Sequence, residues 1–162
     1  MGRLDGRTAV VTGAAHGDRA ALGVVYAKAL AAEGAKVVVA DVKDTSDVAA
    51  EIIADGGDAL ALSVDVTDEA QVNELMAKTV DHFGSLEVLI NNAAIGSNIP
   101  QIPVTEMSVE DWDALMAVNV RGSFLCVKAA VPQMQKKKYG KIINIGSTTM
   151  MTGLTHRLHY TL

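Results

Sequence analysis

The chain has 162 residues, which suits one α/β domain and leaves little room for two. Hydrophobic residues make up 49% and charged residues 20%, with 14 glycines and 3 prolines, so disordered, collagen-like and low-complexity classes are excluded. The 14 basic and 19 acidic residues give a net charge of -5, which provides no basic field for a phosphate backbone. Nucleic acid is therefore not expected as a partner.

Cysteine use and hydropathy indicate the compartment. Cys126 is a lone cysteine and has no internal disulfide partner, which fits a reducing environment and a small buried residue. The first residues lack the apolar core of a signal peptide, and we expect no apolar run of the length of about 18 residues that a membrane span needs. We expect a cytoplasmic protein with no membrane partner.

Short β-branched runs alternate with longer alanine-rich stretches of helical period, which is typical of βαβ units around a parallel sheet. Strands are predicted at residues 8–12, 36–40, 59–63, 88–91 and 141–145. Helices are predicted at 19–33, 45–55, 69–83 and 108–135, with Thr67 as the N-cap of the third. The pattern predicts an α/β fold with a doubly wound parallel sheet over one domain, 1–162. Ligands of such a sheet bind outside the carboxyl ends of its strands.

A glycine-rich turn, Thr12-Gly13-Ala14-Ala15-His16-Gly17, follows the first predicted strand. Glycines there let backbone amides approach and cradle a pyrophosphate, although glycines are also ordinary turn residues. Asp41 directly follows the second strand, where a carboxylate can accept both hydroxyls of an adenosine ribose. The same charge would repel a 2′-phosphate, and neither His16 nor Val42 is a permanently charged base. NAD is therefore favoured over NADP.

With these residues the chain resembles the short-chain dehydrogenase/reductase family, whose glycine motif reads T-G-x-x-x-G-x-G. Thr12, Gly13 and Gly17 match, but Arg19 stands at the third glycine, after Asp18. The family pattern resumes at Leu22-Gly23, as if residues 18–21 were an insertion of four. Four residues rotate a helix by about 400°, so an extra helical turn would displace the downstream face by only about 40°. The negative charge of Asp18 would lie near the pyrophosphate and affect the affinity for NAD.

The resemblance extends to the ends of the next strands. Asp65-Val66 corresponds to the pair that contacts adenine in the family, while a helix-capping aspartate is the structural alternative. Asn91-Asn92-Ala93-Ala94 is similar to the family's N-N-A-G element. The resemblance thus implies cofactor binding by Gly13, His16, Gly17, Asp41, Asp65, Val66, Asn91 and Ala93.

Three further residues carry the chemistry that the resemblance implies. Asn119 lies within a predicted helix, although asparagine has a poor helix propensity. It corresponds to the family residue that anchors a water of the proton relay. Tyr160 follows Ser147 by thirteen residues (160 − 147), which is the family's spacing. In the family the tyrosine is the acid or base and the serine orients the substrate oxygen. Taken singly, each could be a turn or helix-surface residue.

The family also has a lysine four residues after the tyrosine, and position 164 lies beyond Leu162. Bringing the pKa of a tyrosine from about 10 to about 7 requires roughly 4 kcal/mol, so we expect a severe loss of activity without that lysine. The chain looks like the N-terminal two-thirds of a family member, ending before the substrate loop and leaving strand 141–145 as an apolar edge.

The sequence thus predicts an NAD-dependent oxidoreductase that acts on a secondary alcohol and ketone or a 3-oxoacyl-type carbonyl, with a small molecule as substrate. A non-catalytic nucleotide-binding or structural fragment is the alternative. No metal is expected, because His156 and His159 lack a third ligand at recognisable spacing. The helix at 108–135 resembles the family's dimer-forming helix, which implies a homodimer or homotetramer.

Overall fold

Five strands form one all-parallel sheet in the order β3-β2-β1-β4-β5. The computed structural model describes residues 2–17, 21–96, 99, 101–153 and 156–161. The strands are β1 (Thr8–Thr12), β2 (Lys36–Asp41), β3 (Asp58–Ser63), β4 (Val88–Asn91) and β5 (Lys141–Asn144). The predicted α/β fold and doubly wound sheet are confirmed. Strand order reverses between β1 and β4, which defines the switch point where a ligand crevice opens.

The helices are α1 (Leu22–Ala32), α2 (Ser46–Ala54), α3 (Glu69–Phe83), α4 (Val109–Met116), α5 (Ser123–Lys137), α6 (Thr149–Thr152) and α7 (Leu158–Thr161). A π-helical turn at Ala117–Gly122, here called the π segment, separates α4 from α5. The predicted helical stretch over 108–135 is therefore present, as Val109–Lys137, and the π segment interrupts its α-helical bonding. Such turns widen a helix locally and occur frequently at functional sites.

Two predicted helix starts also need correction. Helix α1 begins at Leu22 rather than near 19, because Ala21 is extended, with φ -82° and ψ 90°. An additional helical turn running through Ala21 is therefore wrong, and Asp18, Arg19 and Ala20 lie outside the described residues. Helix α3 is capped by Asp68 rather than Thr67, since the Asp68 carboxylate accepts from the amides of Ala70 and Gln71.

Alternate strand residues face opposite sides of the sheet and build two cores. On one side, Val11 and Val39 pack with α1 and α2. On the other, Val10 and Val38 pack with α3 and α5. Cys126 belongs to the second core, where burial raises the pKa of its thiol to about 11. This supports the prediction that Cys126 is a small buried residue.

The stretch from α4 to α5, Val109–Lys137, is long and apolar. It spans 29 residues with a mean hydropathy of 1.4 over its most apolar 18-residue window, so by length and composition alone it could cross a membrane. The expectation that no stretch of the chain reaches this length was wrong. Its packing against the sheet through Leu125, Cys126 and Ala130 accounts for part of the apolar composition, as it does for core helices generally.

Strand β5 forms one edge of the sheet, as the sequence suggested. Among the described residues it pairs with β4 alone, and Ile143, with Ile145 just after the strand, is 45% and 39% exposed respectively. The central strand β1 is, by contrast, buried along its whole length. Ile143 of β5 therefore lies uncovered in the part of the chain that the structure describes, whereas Ile142 packs against the core that contains Cys126.

Candidate active site

A cavity of about 810 Å³ opens at the carboxyl ends of the strands. Its size lies within the range of about 300–1,000 Å³ that is usual for small-molecule sites. Eight predicted site residues line it: Gly13, Gly17, Asp41, Asp65, Val66, Ala93, Ser147 and Tyr160. The parallel strands bring seven of these residues together because each ends a strand or lies in the turn after one at the same edge, and α7 adds Tyr160.

Close backbone packing shapes the glycine turn. Gly13 has φ +67°, and a Cβ there would stand 2.7 Å from the Cα of Ala93. A Cβ at Gly23 would stand 2.2 Å from the carbonyl oxygen of Gly13. Gly23 thus provides the close helix–strand approach that the third glycine of a dinucleotide fingerprint provides, four positions late in the sequence. Among the described residues, a Cβ at Gly17 meets nothing within 4 Å, so their packing places no demand on that position.

Two backbone amides fix the Asp41 carboxylate. Oδ2 accepts from the amide of Ala15 at 3.2 Å, and Oδ1 accepts from the amide of Lys43 at 3.0 Å. The carboxylate therefore ties the glycine turn to the end of β2 and still has lone pairs for a ligand. Lys43 also lines the cavity and brings a cation to this end, which the sequence reasoning missed.

Asp65 and Val66 follow β3 at the same end of the cavity. Asp65 Oδ1 accepts from the amide and the hydroxyl of Thr67, both at 2.8 Å. Asp65 therefore makes local bonds before α3, as the structural alternative expects, but the residue that caps α3 is Asp68. Val66 is buried against the π segment, where a Cβ at Gly122 would stand 2.7 Å from Val66 Cγ2.

His16 is not among the residues that line the cavity. Its Nε2 lies 3.1 Å from Oε1 of Glu51 on α2, and Lys28 binds the other oxygen of that carboxylate at 2.6 Å. The bond from Lys28, followed by that from His16, lowers the pKa of Glu51. This geometry gives His16 a surface ion-pair partner, and its cofactor contact stays a prediction.

The paired asparagines after β4 brace the sheet. Asn91 is buried, and its Nδ2 donates to Oδ1 of Asn144 on β5 at 2.8 Å. Asn92 Nδ2 donates to the carbonyls of Thr12 and Gly13, at 3.1 and 2.8 Å. Asn92, which the sequence reasoning left out of the site, therefore secures the glycine turn, and it lines the cavity while Asn91 does not.

Asn119 lies in the π segment and binds the backbone of Ile95 in the loop after β4. Its Oδ1 accepts from the Ile95 amide at 2.8 Å, and its Nδ2 donates to the Ile95 carbonyl at 3.1 Å. The donor and the acceptor of the side-chain amide therefore both bind the backbone of the same residue. Asn119 is outside the residues lining the cavity and holds a loop that lines it.

Ser147 and Tyr160 both line the end of the cavity that lies beyond β4 and β5. Ser147 Oγ accepts from the hydroxyl of Thr149 at 3.0 Å and from its amide at 3.3 Å. The Tyr160 hydroxyl stands 3.5 Å from the place of a Cβ on Gly96. Thr149 and Arg157 line this end as well, and neither belongs to a motif that would have singled it out.

Comparison with known proteins finds a matching family and similar proteins. The family model described as short chain dehydrogenase matches residues 7–161. The chain is 45% identical to 2,5-dichloro-2,5-cyclohexadiene-1,4-diol dehydrogenase LinX of Sphingobium indicum, over 90% of this chain and 56% of that protein. It is 41% identical to the 3-oxoacyl-[acyl-carrier-protein] reductase of Synechocystis sp., over 99% of this chain and 63% of that protein.

A solved structure gives the same picture. The crystal structure of a short chain dehydrogenase from Mycobacterium smegmatis superposes with a TM-score of 0.90 at 30% identity, covering 99% of this chain and 66% of that one. The chain thus spans between about half and two-thirds of the length of these relatives. On the family match and these likenesses together, the chain belongs to the short-chain dehydrogenase family.

Proposed function

We propose that the protein is an NAD-dependent oxidoreductase that interconverts a secondary alcohol and a ketone, or reduces a 3-oxoacyl-type carbonyl. One observation carries the proposal. Ser147 and Tyr160 line the same cavity as the glycine turn and Asp41. A hydroxyl and a phenol therefore lie within reach of one small molecule at one end, with nucleotide-binding groups at the other.

The residues present fit a dinucleotide. Gly13 and Gly23 keep Cβ atoms out of the turn, so that its amides can approach a pyrophosphate. Asp41 would hold the adenosine ribose, and Asp65 with Val66 the adenine. When bound, the nicotinamide gives or accepts the hydride. The negative charge of Asp41 supports NAD over NADP, and Lys43 is the cation that could offset it.

The chain's own residues would handle the proton and the substrate oxygen. The Tyr160 phenol gives a proton to the carbonyl oxygen in reduction and accepts it in oxidation. Because Thr149 donates to Ser147 Oγ, the Ser147 hydroxyl proton remains available to the substrate oxygen. Asn119 fixes the loop that carries Gly96, against which Tyr160 lies, and we propose that it also serves the proton relay.

The test is a Tyr160→Phe variant measured beside wild type, both in a chain extended to include the family's lysine, with NADH followed at 340 nm and NAD binding followed by calorimetry. General acid–base catalysis contributes about 100- to 10,000-fold, so kcat should fall at least about 100-fold while NAD affinity stays within about twofold. Tyr139→Phe, outside the cavity, is the matched control and should keep full activity. Turnover that survives Tyr160→Phe would remove the tyrosine from the mechanism.

The same titrations decide between the proposal and its alternative. Tight NAD binding by a wild-type chain that never transfers hydride would support a non-catalytic nucleotide-binding protein. Titration with NADP tests the cofactor preference, with Lys43→Gln as a second arm. If Asp41 sets the preference, NADP binds weakly to both forms; NADP binding as tight as NAD in wild type would contradict it.

We also propose that the protein forms a homodimer or homotetramer through the long helical stretch. Only 28% of its apolar window is buried in the part of the chain that the structure describes. Val109, Val120 and Phe124 are 68%, 59% and 59% exposed. A cytoplasmic location stays a prediction of the sequence.

A further inference from the structure

Two cationic side chains line the described cavity, and they belong to different ends of it. Lys43 follows β2 beside Asp41, whereas Arg157 directly precedes α7 and lines the cavity with Ser147 and Tyr160. Strands β2 and β5 are separated by three strand spacings, about 14 Å. Arg157 is therefore the cation of the end where the proposed reaction takes place.

The backbone of Arg157 is fixed, while its guanidinium has no acidic partner among the described residues. Its carbonyl accepts from the amides of Tyr160 and Thr161, at 3.0 and 3.2 Å, so Arg157 and Tyr160 are held in one turn. The ion pairs in the described part of the chain involve other residues. The side chain is half-buried rather than extended into solvent.

The charges of the cavity are arranged so that this end attracts an anion. The acidic residues that line the cavity, Asp41 and Asp65, follow β2 and β3 on the far side of β1. The lining near Tyr160 is otherwise neutral, with Ser147 and Thr149 as its hydroxyl groups. The chain as a whole carries a net charge of -5, so Arg157 provides a local attraction that the overall charge would oppose.

We infer that the substrate is a carboxylic acid whose carboxylate binds Arg157 while its carbonyl or carbinol oxygen meets Ser147 and Tyr160. A guanidinium binds a carboxylate with two parallel hydrogen bonds, which fixes orientation as well as charge. The substrate class is thus short 3-oxo acids and their 3-hydroxy counterparts. This inference rests on the proposed function, and the carboxylate itself is unchanged by the hydride and proton transfer.

The probe is acetoacetate, compared with its neutral analogue methyl acetoacetate. Calorimetry measures the affinity of each for the protein with and without NADH, and absorbance at 340 nm follows NADH oxidation in parallel. Wild type should bind the acid about tenfold or more tighter than the ester, since charge-assisted pairs are the strong hydrogen bonds. In Arg157→Gln the acid should weaken about tenfold, while the ester stays within about twofold.

Two further variants serve as controls. Arg157→Lys keeps the charge without the two-pronged geometry and should restore part of the preference for the acid. Arg3→Gln removes an exposed arginine outside the cavity and should leave both affinities unchanged. The comparison of acid with ester in wild type needs no variant, so it decides the question even if Arg157→Gln folds poorly.

The outcomes separate this inference from the proposed function. Equal wild-type affinity for acid and ester, or no binding of either, overturns the inference. So does a loss of NADH affinity in Arg157→Gln with an unchanged acid-to-ester ratio, which would assign the arginine to the cofactor's phosphates. An acid preference lost in Arg157→Gln, with no NADH oxidation in wild type, supports the inference and contradicts the proposed function.

Discussion

At the scale of single residues, the glycine turn shows how one function can move along a sequence. The position that the family pattern assigns to a third glycine holds Arg19, yet Gly23 provides the close approach to Gly13. A helix can pack this tightly against a turn only where a side chain is absent. The contact therefore depends on the backbone geometry of α1 and not on the spacing of the motif.

Gly23→Ala should destabilise the fold, whereas Gly17→Ala should not. Alanine would gain helix propensity at Gly23, but its Cβ would meet the Gly13 carbonyl oxygen at 2.2 Å, and overpacking of this kind costs about 1–3 kcal/mol. At Gly17 the Cβ meets nothing within 4 Å, so the free energy of unfolding should change by less than about 0.5 kcal/mol. Urea denaturation of both variants measures the difference.

NAD titration of the same pair separates packing from binding. Gly17 lines the cavity, so a methyl group there would weaken NAD binding in a protein of unchanged stability. If Gly17→Ala binds NAD as wild type does, the pyrophosphate lies elsewhere. If Gly23→Ala is as stable as wild type, the close approach of α1 is not required.

Asn119 marks the limit of what a sequence can tell about a residue. Its poor helix propensity predicts an unusual position, and the family resemblance adds a role. The structure adds the partner, since both ends of the side-chain amide bind Ile95, which lies 24 residues earlier. A contact at that separation depends on how the π segment packs against the loop after β4, and no local pattern encodes it.

At the scale of elements, buried strands were the most predictable part. The five strands lie within one residue of their predicted bounds, because short and mostly continuous apolar runs are typical of the strands of a parallel sheet. Helix ends were less predictable, because several polar residues compete for each cap. Thr67 was predicted to cap α3, but its hydroxyl donates to Asp65, which leaves Asp68 as the cap.

The Asp68 cap should make the stability of the protein depend measurably on pH. The hydrogen bond from the Gln71 side chain, then those from the amides of Gln71 and Ala70, lower the pKa of Asp68 below the ordinary value of an aspartate. A lowered folded-state pKa stabilises the protein above the unfolded pKa, and the effect is lost as pH falls through the folded value. Asp68→Asn should therefore be less stable than wild type at pH 5–7, and the difference should vanish near pH 2–3.

Thermal unfolding of both proteins across this pH range makes the measurement. Asp81→Asn is the control, since Asp81 lies near the C-terminal end of the same helix, where a negative charge opposes the helix dipole. It should show no loss of stability above pH 5. A difference between wild type and Asp68→Asn that is constant with pH would show that the charge of the cap contributes nothing.

At the scale of the whole molecule, apolar surface remains exposed at the β5 edge of the sheet and along the α4-to-α5 stretch. Strand β5 is an edge on which Ile143 is exposed, and the α4-to-α5 stretch keeps most of its apolar window outside the core. Monomers rarely expose contiguous apolar surface of large extent. The sequence predicts both features from composition and strand count, but only the fold shows which side chains of the stretch point away from the sheet.

The homo-oligomer proposed above gives a direct test at Phe124. This side chain is 59% exposed on α5, and placing a charge there should disrupt an interface built on the stretch. Phe124→Asp should therefore sediment as a monomer under conditions where wild type is a dimer or tetramer. Val25→Asp is the matched control, since Val25 is 57% exposed on α1, which packs on the opposite side of the sheet. If both variants sediment as wild type does, the interface lies elsewhere; if wild type is itself a monomer, the proposal of a homo-oligomer is wrong.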